Sequence, residues 1–440
     1  MRRPQFISEV LNLASAHSGS APDNSIWSGF YKRTVSERQK ILAQARGLDE
    51  KDVALLNKDG PLPLATAETI TENVVGTFAL PFSVAPNFLV NGKEYVVPMV
   101  IEEPSVVAAA SNAAKLAREK GGFKTEYSGS IMTGQIQLVK LQDAGAAVAK
   151  LNADKAALMT EADTHFANLK AFGGGVVGMQ ARKLASPRGQ MVVVEFYVNV
   201  ADAMGANMVN SAMERLAPTV EKKTGGTARL RILTNLAIKR IASASAVWSK
   251  ESLGGEEAVE AILDAWAFAM ADPFRRATHH KGIMNGIDAV GVATGNDWRA
   301  IEAGAHSYAA MKDASIITYS KNADGDLEGK IVLPLAVGVV GGSMKANPCA
   351  VLGQKILGAK SSGELAQVMA AVGLAQNLAA LKALAGEGIQ AGHMRLHARH
   401  VAKTAGVSDA ELERAVEFMI SSRQVNEAGA KAALHKLRSK

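Results

Sequence analysis

Cysteine occurs once in the 440 residues, at Cys349. That excludes an internal disulfide framework and a cysteine-based zinc site, and it fits a reducing, cytoplasmic setting. The lone thiol reads as a small buried apolar group. Aromatic residues make up only 5%, which points to closely packed helices and tight backbone turns rather than an aromatic-rich binding sandwich. No uninterrupted apolar run reaches the ~18 residues of a membrane span. The opening Met1-Arg2-Arg3 is no secretory signal either, because Pro4, Gln5, Ser8 and Glu9 interrupt any apolar stretch. Basic residues outnumber acidic ones by 49 to 42, giving a net charge of +7. They form no long run and no stripe interleaved with aromatics, so nucleic acid is not indicated. A mild positive field suits small polyanions. The GxGxxG fingerprint is missing, which excludes a standard Rossmann site, and no internal repeat is visible.

What is present is an ordinary globular composition, 48% hydrophobic and 21% charged. The chain is too long for a single core, so two or three domains are expected. Residues 34–45 read as a helix capped by Thr34 or Ser36. Pro61 and Pro63 precede a helix expected at 65–75. Asn91-Gly92 between apolar stretches predicts a hairpin within 78–101, and Pro104 opens a helix from Val106 to Lys120. From about 130 the pattern becomes strand, Ala-rich helix to 171, strand at 191–200, helix, and strand at 228–233. That unit has the size of a small α/β domain inserted into a larger one. Residues 255–320 read as mostly helical, 329–334 as a short strand, and the last hundred as helices, two of them separated by 386–392. The fold class is therefore α+β. A large, mostly helical domain (1–129 and 235–393) carries an inserted α/β domain (130–234), and a helical C-terminal segment (394–440) follows.

Several stretches are rich in chemistry. Glu102-Glu103-Pro104-Ser105 sets paired carboxylates before a helix, where they can serve as a general acid or complement the helix dipole. His279-His280-Lys281-Gly282 is denser in polar groups than a core helix needs, with Asn285 one turn on. Sixteen residues after Lys281 comes Asp297, in a Gly-containing turn. A Lys281–Asp297 couple would orient a fixed cation, or would simply be a structural ion pair. Asp202-Ala203-Met204-Gly205-Ala206-Asn207 joins a strand to a helix, a context in which backbone N–H groups hold phosphate. A plain strand-to-helix turn has the same pattern. His393, His397 and His400 share a helix face. With no Glu after the first and no third ligand, a metal site is not expected, which leaves a solvated face or a single proton donor.

Taken together, these stretches resemble the class II, soluble, mostly bacterial 3-hydroxy-3-methylglutaryl-CoA (HMG-CoA) reductases. The matching segments are ENVVGTFALP (72–81), EEPSVVAAAS (102–111), DAMGANMVN (202–210), DPFRRATHHKGIMNGIDAVGVATGNDWRAIEAGAH (272–306), VGVVGG (337–342) and VGLAQNLAALKALAGEGIQAGHMRLHAR (372–399). The resemblance implies an NADH- or NADPH-dependent oxidoreductase that interconverts HMG-CoA with mevalonate and CoA by two hydride transfers. It implies catalytic roles for Glu103, Lys281, Asp297 and His393, and substrate contacts from Ser105, Arg275, Asn285, Gln376 and Asn377. Lys281 would stabilise charge on the thioester oxygen, His393 would protonate the departing thiolate, and Glu103 would supply the hydroxyl proton. The 130–234 domain would hold the dinucleotide through Asp202, Met204, Gly205, Ala206 and Asn207, with Asn235 just beyond it. Phe166, preceded by His165, takes the place of the family's NADH-selecting acid, which leaves NADPH open. The stretch Tyr31-Lys32-Arg33 would offer a cation to CoA. Residues after 394 would form a mobile flap over the site. A homodimer or higher oligomer with shared active sites, through ENVVG, is also implied. Neither metal, membrane nor nucleic acid is expected. The rival reading is a non-catalytic CoA- or nucleotide-binding homologue, which would be expected to have lost one of the four catalytic groups.

Overall fold

The computed structural model describes residues 24–57, 62–313, 315–386 and 389–438. Helix α1 (Val35–Arg46) opens with a reciprocal cap. Thr34 Oγ1 accepts from Glu37 N at 3.3 Å, and the Glu37 carboxylate accepts from Thr34 N at 2.7 Å. The short helix Leu64–Ile70 ends five residues earlier than expected. Residues 71–81 then run as neither helix nor strand and expose Val75 and Phe78. Strands β1 (Phe82–Val90) and β2 (Lys93–Val100) form the expected hairpin. Asn91 and Gly92 both have positive φ, 49° and 79°, which the mirror-image turn of a twisted hairpin requires. Helix α2 (Val106–Ala117) follows the Glu102–Ser105 turn.

After β3 (Lys124–Tyr127) the chain builds the inserted unit: β4 (Ile131–Val139), α3 (Ala144–Ala153), α4 (Lys155–Thr164), β5 (Gly175–Ser186), β6 (Gly189–Asn199), α5 (Ala206–Thr224) and β7 (Thr227–Leu233). The sheet order is β5-β6-β4-β7, antiparallel throughout, a split βαβ arrangement. Strand β5 was not expected from the sequence. Its exposed and buried residues do not alternate cleanly. One apolar cluster, including Met132, Ile136, Leu158, Phe166, Phe196 and Met213, fills the space between this sheet and its helices.

The chain then returns through β8 (Ile241–Trp248), α6 (Glu256–Ala271), α7 (Pro273–Ala293), α8 (Trp298–Lys312), β9 (Ile317–Lys321), β10 (Leu327–Pro334), α9 (Pro348–Leu357) and α10 (Ser362–Ala385). Strands β3-β8-β10-β9 form a second antiparallel sheet, so the larger body is less helical than expected. Helix α10 is long and apolar enough to cross a membrane by length and composition, yet 15 of its residues are buried in the main core. It crosses α7 closely. A Cβ on Gly373 would lie 2.7 Å from Ile287 Cδ1, and one on Gly286 would lie 3.0 Å from Gln376 Cβ. Helices α11 (Ile389–Thr404), α12 (Leu412–Ser421) and α13 (Glu427–Arg438) share a separate apolar cluster that includes Ala398, Val416 and Met419. Helix α11 already begins at Ile389, inside the glycine stretch expected to separate two helices.

Helices α7 and α8 enclose a coupled pair of acids. Burial first, then the hydrogen bond and charge of Glu302, push the Asp288 carboxyl up to about 9. Glu302 is held below the ordinary carboxylate range, chiefly by its hydrogen bond with His306, whose imidazole is raised in return. The pair therefore keeps one proton, on Asp288. Between its unfolded value near 3.9 and about 9, the native state binds that proton and the unfolded chain does not. Stability from this group therefore falls as pH rises through the window. The raised His306 acts in the same direction, its contribution being lost above its folded value. Asp288→Asn mimics the protonated acid. Thermal melts at pH 7 and 9 should show a smaller loss of melting temperature for the variant than for the parent, by on the order of a few degrees. An unchanged pH slope would show that Asp288 is not the group holding the proton.

Candidate active site

Two distant pieces of sequence meet at one ion pair. Glu103 lies in the turn between β2 and α2, and Lys281 lies on the open face of α7. Lys281 Nζ stands 2.5 Å from Glu103 Oε2, with the two side chains 59% and 34% exposed. The turn is shaped by Ser105, whose φ of 71° lies in the left-handed region that residues other than glycine seldom adopt. Glu102 faces solvent, so the partner of Glu103 is a lysine and not the adjacent acid. Asp272 caps α7 by accepting from Arg275 N at 2.9 Å, with Pro273 in the first turn. Arg275 is half-buried, six residues before Lys281. Asn285 is half-buried one turn beyond it, on the same face.

Beneath this face the polar groups are locked. His279 is 1% exposed, and burial, aided by His280 and Arg275, brings its imidazole down to about 3, so it is neutral. Its Nδ1 is 3.3 Å from Asn377 Nδ2, and Asn377 Oδ1 accepts from Tyr319 Oη at 3.1 Å. Asn377 is itself 1% exposed. Expected against the substrate, it is instead committed at both ends of its amide to holding α7, α10 and β9 in register. Gln376 beside it differs: its Oε1 is buried and has no hydrogen-bond partner among the described residues.

Asp297 does not form the expected couple with Lys281 within this chain. It caps α8, accepting from Ala300 N at 3.1 Å, and Arg299 Nε is 3.9 Å away. No ion pair joins Asp297 to Lys281 among the described residues. His393 lies in α11, but its side chain is outside the described residues. His397 and His400 on the same helix are exposed.

The Asp202–Asn207 loop runs from β6 into α5. Gly205 has φ 95°, and a Cβ there would lie 2.6 Å from Val200. Helix α5 starts without a side-chain cap, so its first-turn N–H groups are open to an anion. The triple glycine Gly173-Gly174-Gly175, just ahead of β5, packs against the end of β6 that leads into this loop: a Cβ on Gly174 would be 2.8 Å from Asn199 O. Asn207 and Asn235 are exposed, and His165 is half-buried at the end of α4. Phe166 corrects the expectation from spacing. At 2% exposure it belongs to the core of the inserted unit and presents no surface to a ribose. Asp163, nearby, accepts from Val176 N at 2.9 Å and pairs with Lys170 at 2.5 Å.

Nothing in the sequence pattern signals Arg240. Fully buried, it donates to backbone carbonyls of the 202–205 loop; such partners leave no trace in side-chain identity. Among the described residues no group of three His, Cys, Asp or Glu side chains is gathered as a metal would require. Cys349 is half-buried and burial raises its thiol. A groove of about 1480 Å³ lies elsewhere, lined by Val74, Phe78, Leu80 and Val107 among others, and it includes neither Glu103 nor Lys281.

The family model for hydroxymethylglutaryl-coenzyme A reductase matches residues 34–398. A 3-hydroxy-3-methylglutaryl-coenzyme A reductase of Archaeoglobus fulgidus is 52% identical over 93% of this chain and 94% of its own length. A probable reductase of the same name from Borreliella burgdorferi is 35% identical over 88% and 89%. The reductase structure from Streptococcus pneumoniae superposes with a TM-score of 0.80 at 40% identity, covering 93% of this chain and 99% of that one. A class II structure from the same organism, described as bound to NADPH in open conformations, gives 0.78 at 41% identity over 81% and 99%. Ion pair, anion-ready loop and these matches agree, and the chain belongs to the hydroxymethylglutaryl-coenzyme A reductase family.

Proposed function

We propose that this protein interconverts HMG-CoA with mevalonate and CoA through two hydride transfers, with the reacting carbon held beside Lys281 and Glu103. The observation that carries the reading is the 2.5 Å contact of Lys281 Nζ with Glu103 Oε2 in a chain of this family. The residues around the Asp202–Asn207 loop fit a nicotinamide dinucleotide: an uncapped helix start, a glycine turn with no room for a side chain, and the triple glycine beside it. When bound, that dinucleotide supplies the hydride.

Lys281 then offers a fixed positive charge to the oxygen on which negative charge develops as the thioester carbon is reduced. Expulsion of CoA as a thiolate calls for an acid, the role proposed for His393. Reduction of the resulting aldehyde needs one more proton at oxygen, the role proposed for the Glu103 carboxyl beside Lys281. Arg275 and Ser105 are proposed to hold the substrate carboxylate. Gln376 Oε1, buried without a partner, is an acceptor that a substrate hydroxyl would satisfy. By the same reading, 130–234 is the dinucleotide domain and 394–440 a flap that excludes water as it closes.

The active form is proposed to be a homodimer or a higher oligomer. In support, residues 71–81 leave Val75 and Phe78 exposed beside an apolar groove, a surface a monomer rarely leaves uncovered. Asp297, with no ion pair to Lys281 in its own chain, is the natural contribution of a second copy.

The direct test is oxidation of NADH and NADPH, assayed separately, with HMG-CoA as substrate. Turnover of neither by folded protein would leave only the non-catalytic homologue. Lys281→Ala should lower kcat by about 10²–10³-fold with an unchanged circular dichroism spectrum, and near-normal turnover would dismiss the oxyanion role. Phe78→Asp should convert the assembly to monomer by light scattering and abolish turnover together with assembly. A fully active monomer would refute the shared site.

A further inference from the structure

Arg240 sits on the seam between the two bodies of the chain. Its residue is 0% exposed. Nε donates to Tyr127 Oη at 2.7 Å, Nη1 to Ala203 O at 3.1 Å and to Met204 O at 3.2 Å, and Nη2 to Val337 O. Burial pulls the guanidinium below its ordinary value, against which the charges of Tyr127 and Asp202 act. It remains a cation, because arginine does not deprotonate in proteins. A buried charge of this kind is costly unless its donors are met, and here they are met by three backbone oxygens, two of them on one loop, and the Tyr127 hydroxyl.

The hydrogen bonding continues past Arg240. Tyr127 Oη lies 3.3 Å from Ser130 Oγ, and Ser130 Oγ lies 3.1 Å from Ser362 Oγ. Ser362 Oγ donates to Ala201 O at 3.2 Å, and Ser362 N donates to Asp202 Oδ1 at 2.8 Å. Val339 N donates to Asp202 O at 2.9 Å. Every backbone carbonyl from Ala201 to Met204 is thus bound by Ser362, Val339 or Arg240, all outside the inserted unit. With those peptide planes fixed, the chain turns through Gly205 and enters α5 with no side-chain cap. Arg240 also grips Val337, at the head of the loop whose Val340 bridges to Ala203.

We infer that Arg240 is a positioning residue for the dinucleotide: by anchoring the carbonyls of Ala203 and Met204 to the larger body, it fixes the direction in which the first-turn amides of α5 point and their place relative to Lys281. The inference rests on the proposed placement of the dinucleotide at residues 202–207. Lysine cannot replace the fork, because one ammonium has no planar pair of arms to span Ala203, Met204 and Val337 together.

Full-length parent, Arg240→Lys and Tyr127→Phe would be compared by NADPH fluorescence titration (NADH, if the parent binds that more tightly) and by calorimetric titration of HMG-CoA. Arg240→Lys should weaken dinucleotide binding on the order of tenfold, as expected for buried carbonyls stripped of a charged donor. Its HMG-CoA affinity should stay within about twofold of the parent. A merely structural role would weaken both ligands together or neither. Tyr127→Phe removes one hydroxyl and frees only Nε, so it should show a smaller loss with the same selectivity; it decides the matter if Arg240→Lys does not fold. Asn207→Glu, which places a negative charge at the exposed start of α5, serves as the control for the loop itself. If it leaves dinucleotide binding unchanged, the proposed placement is wrong. If it weakens binding while the folded Arg240 and Tyr127 variants bind normally, Arg240 has no positioning role and the placement stands.

Discussion

The close crossing of α7 with α10 sets everything else in the larger body. Two glycines, Gly286 and Gly373, each sit where a side chain would run into the opposite helix, so the axes approach to a distance larger residues forbid. That approach buries one face of α7 completely, including His279, Ile283, Ile287 and Val290, and turns the opposite face, with Lys281, toward Glu103. Lysine carries a long, flexible stem, and a cation held by such a stem is only as well placed as the backbone beneath it. Burial of the rest of the helix supplies that rigidity.

Buried polar groups mark the places where packing alone would leave the geometry loose. Asn377 ties His279 to Tyr319 across α7, α10 and β9. Neutral His279 can act there only because burial keeps its imidazole uncharged. Asp288 and Glu302 lock α7 to α8 by sharing a proton, and Asp297 fixes the start of α8 as its cap. Each arrangement exchanges hydration for directional bonds, a net gain only when every partner is in place. Among the described residues three buried atoms here still lack a partner: His279 Nε2, Asp288 Oδ1 and, on α10, Gln376 Oε1.

Much of this was legible in the sequence where residue identity itself carries the physics. Asn91-Gly92 announced its hairpin because such residues readily take positive φ at two successive positions, and of the two candidate caps, Thr34 and Ser36, the structure uses Thr34. Lys281 stands out by polar neighbours where a core helix needs none, whereas the paired acids at Glu102-Glu103 read equally as complement to a helix dipole until the resemblance gives Glu103 a role. Strand β8 went unrecognised because Ile241–Trp248 is largely alternating Ala and Ser, with little β-branched character. Its small side chains are there so that α10 can lie close on the sheet, a reason that exists only in three dimensions. Phe166 and Asn377 show the limit of carrying roles over by position, since both are turned inward. Arg240 was unreadable for a different cause: its partners are carbonyl oxygens, which every residue has.

The seam and the C-terminal unit divide the mechanical work. Across the seam, Arg240, Tyr127, Ser130 and Ser362 join the bodies through a buried network, so displacing one body from the other would strip several polar groups of partners at once. Helices α11 to α13 are different. Their apolar residues pack chiefly on one another, so the unit can shift as a block without exposing the main core. A reaction that twice takes up a nicotinamide and must release a thiol between hydride transfers needs both behaviours. The loop proposed for the dinucleotide has to return to the same place each time, while whatever covers the site has to leave. Rigidity at the seam and an independent core in the proposed flap are the arrangement in which neither requirement compromises the other.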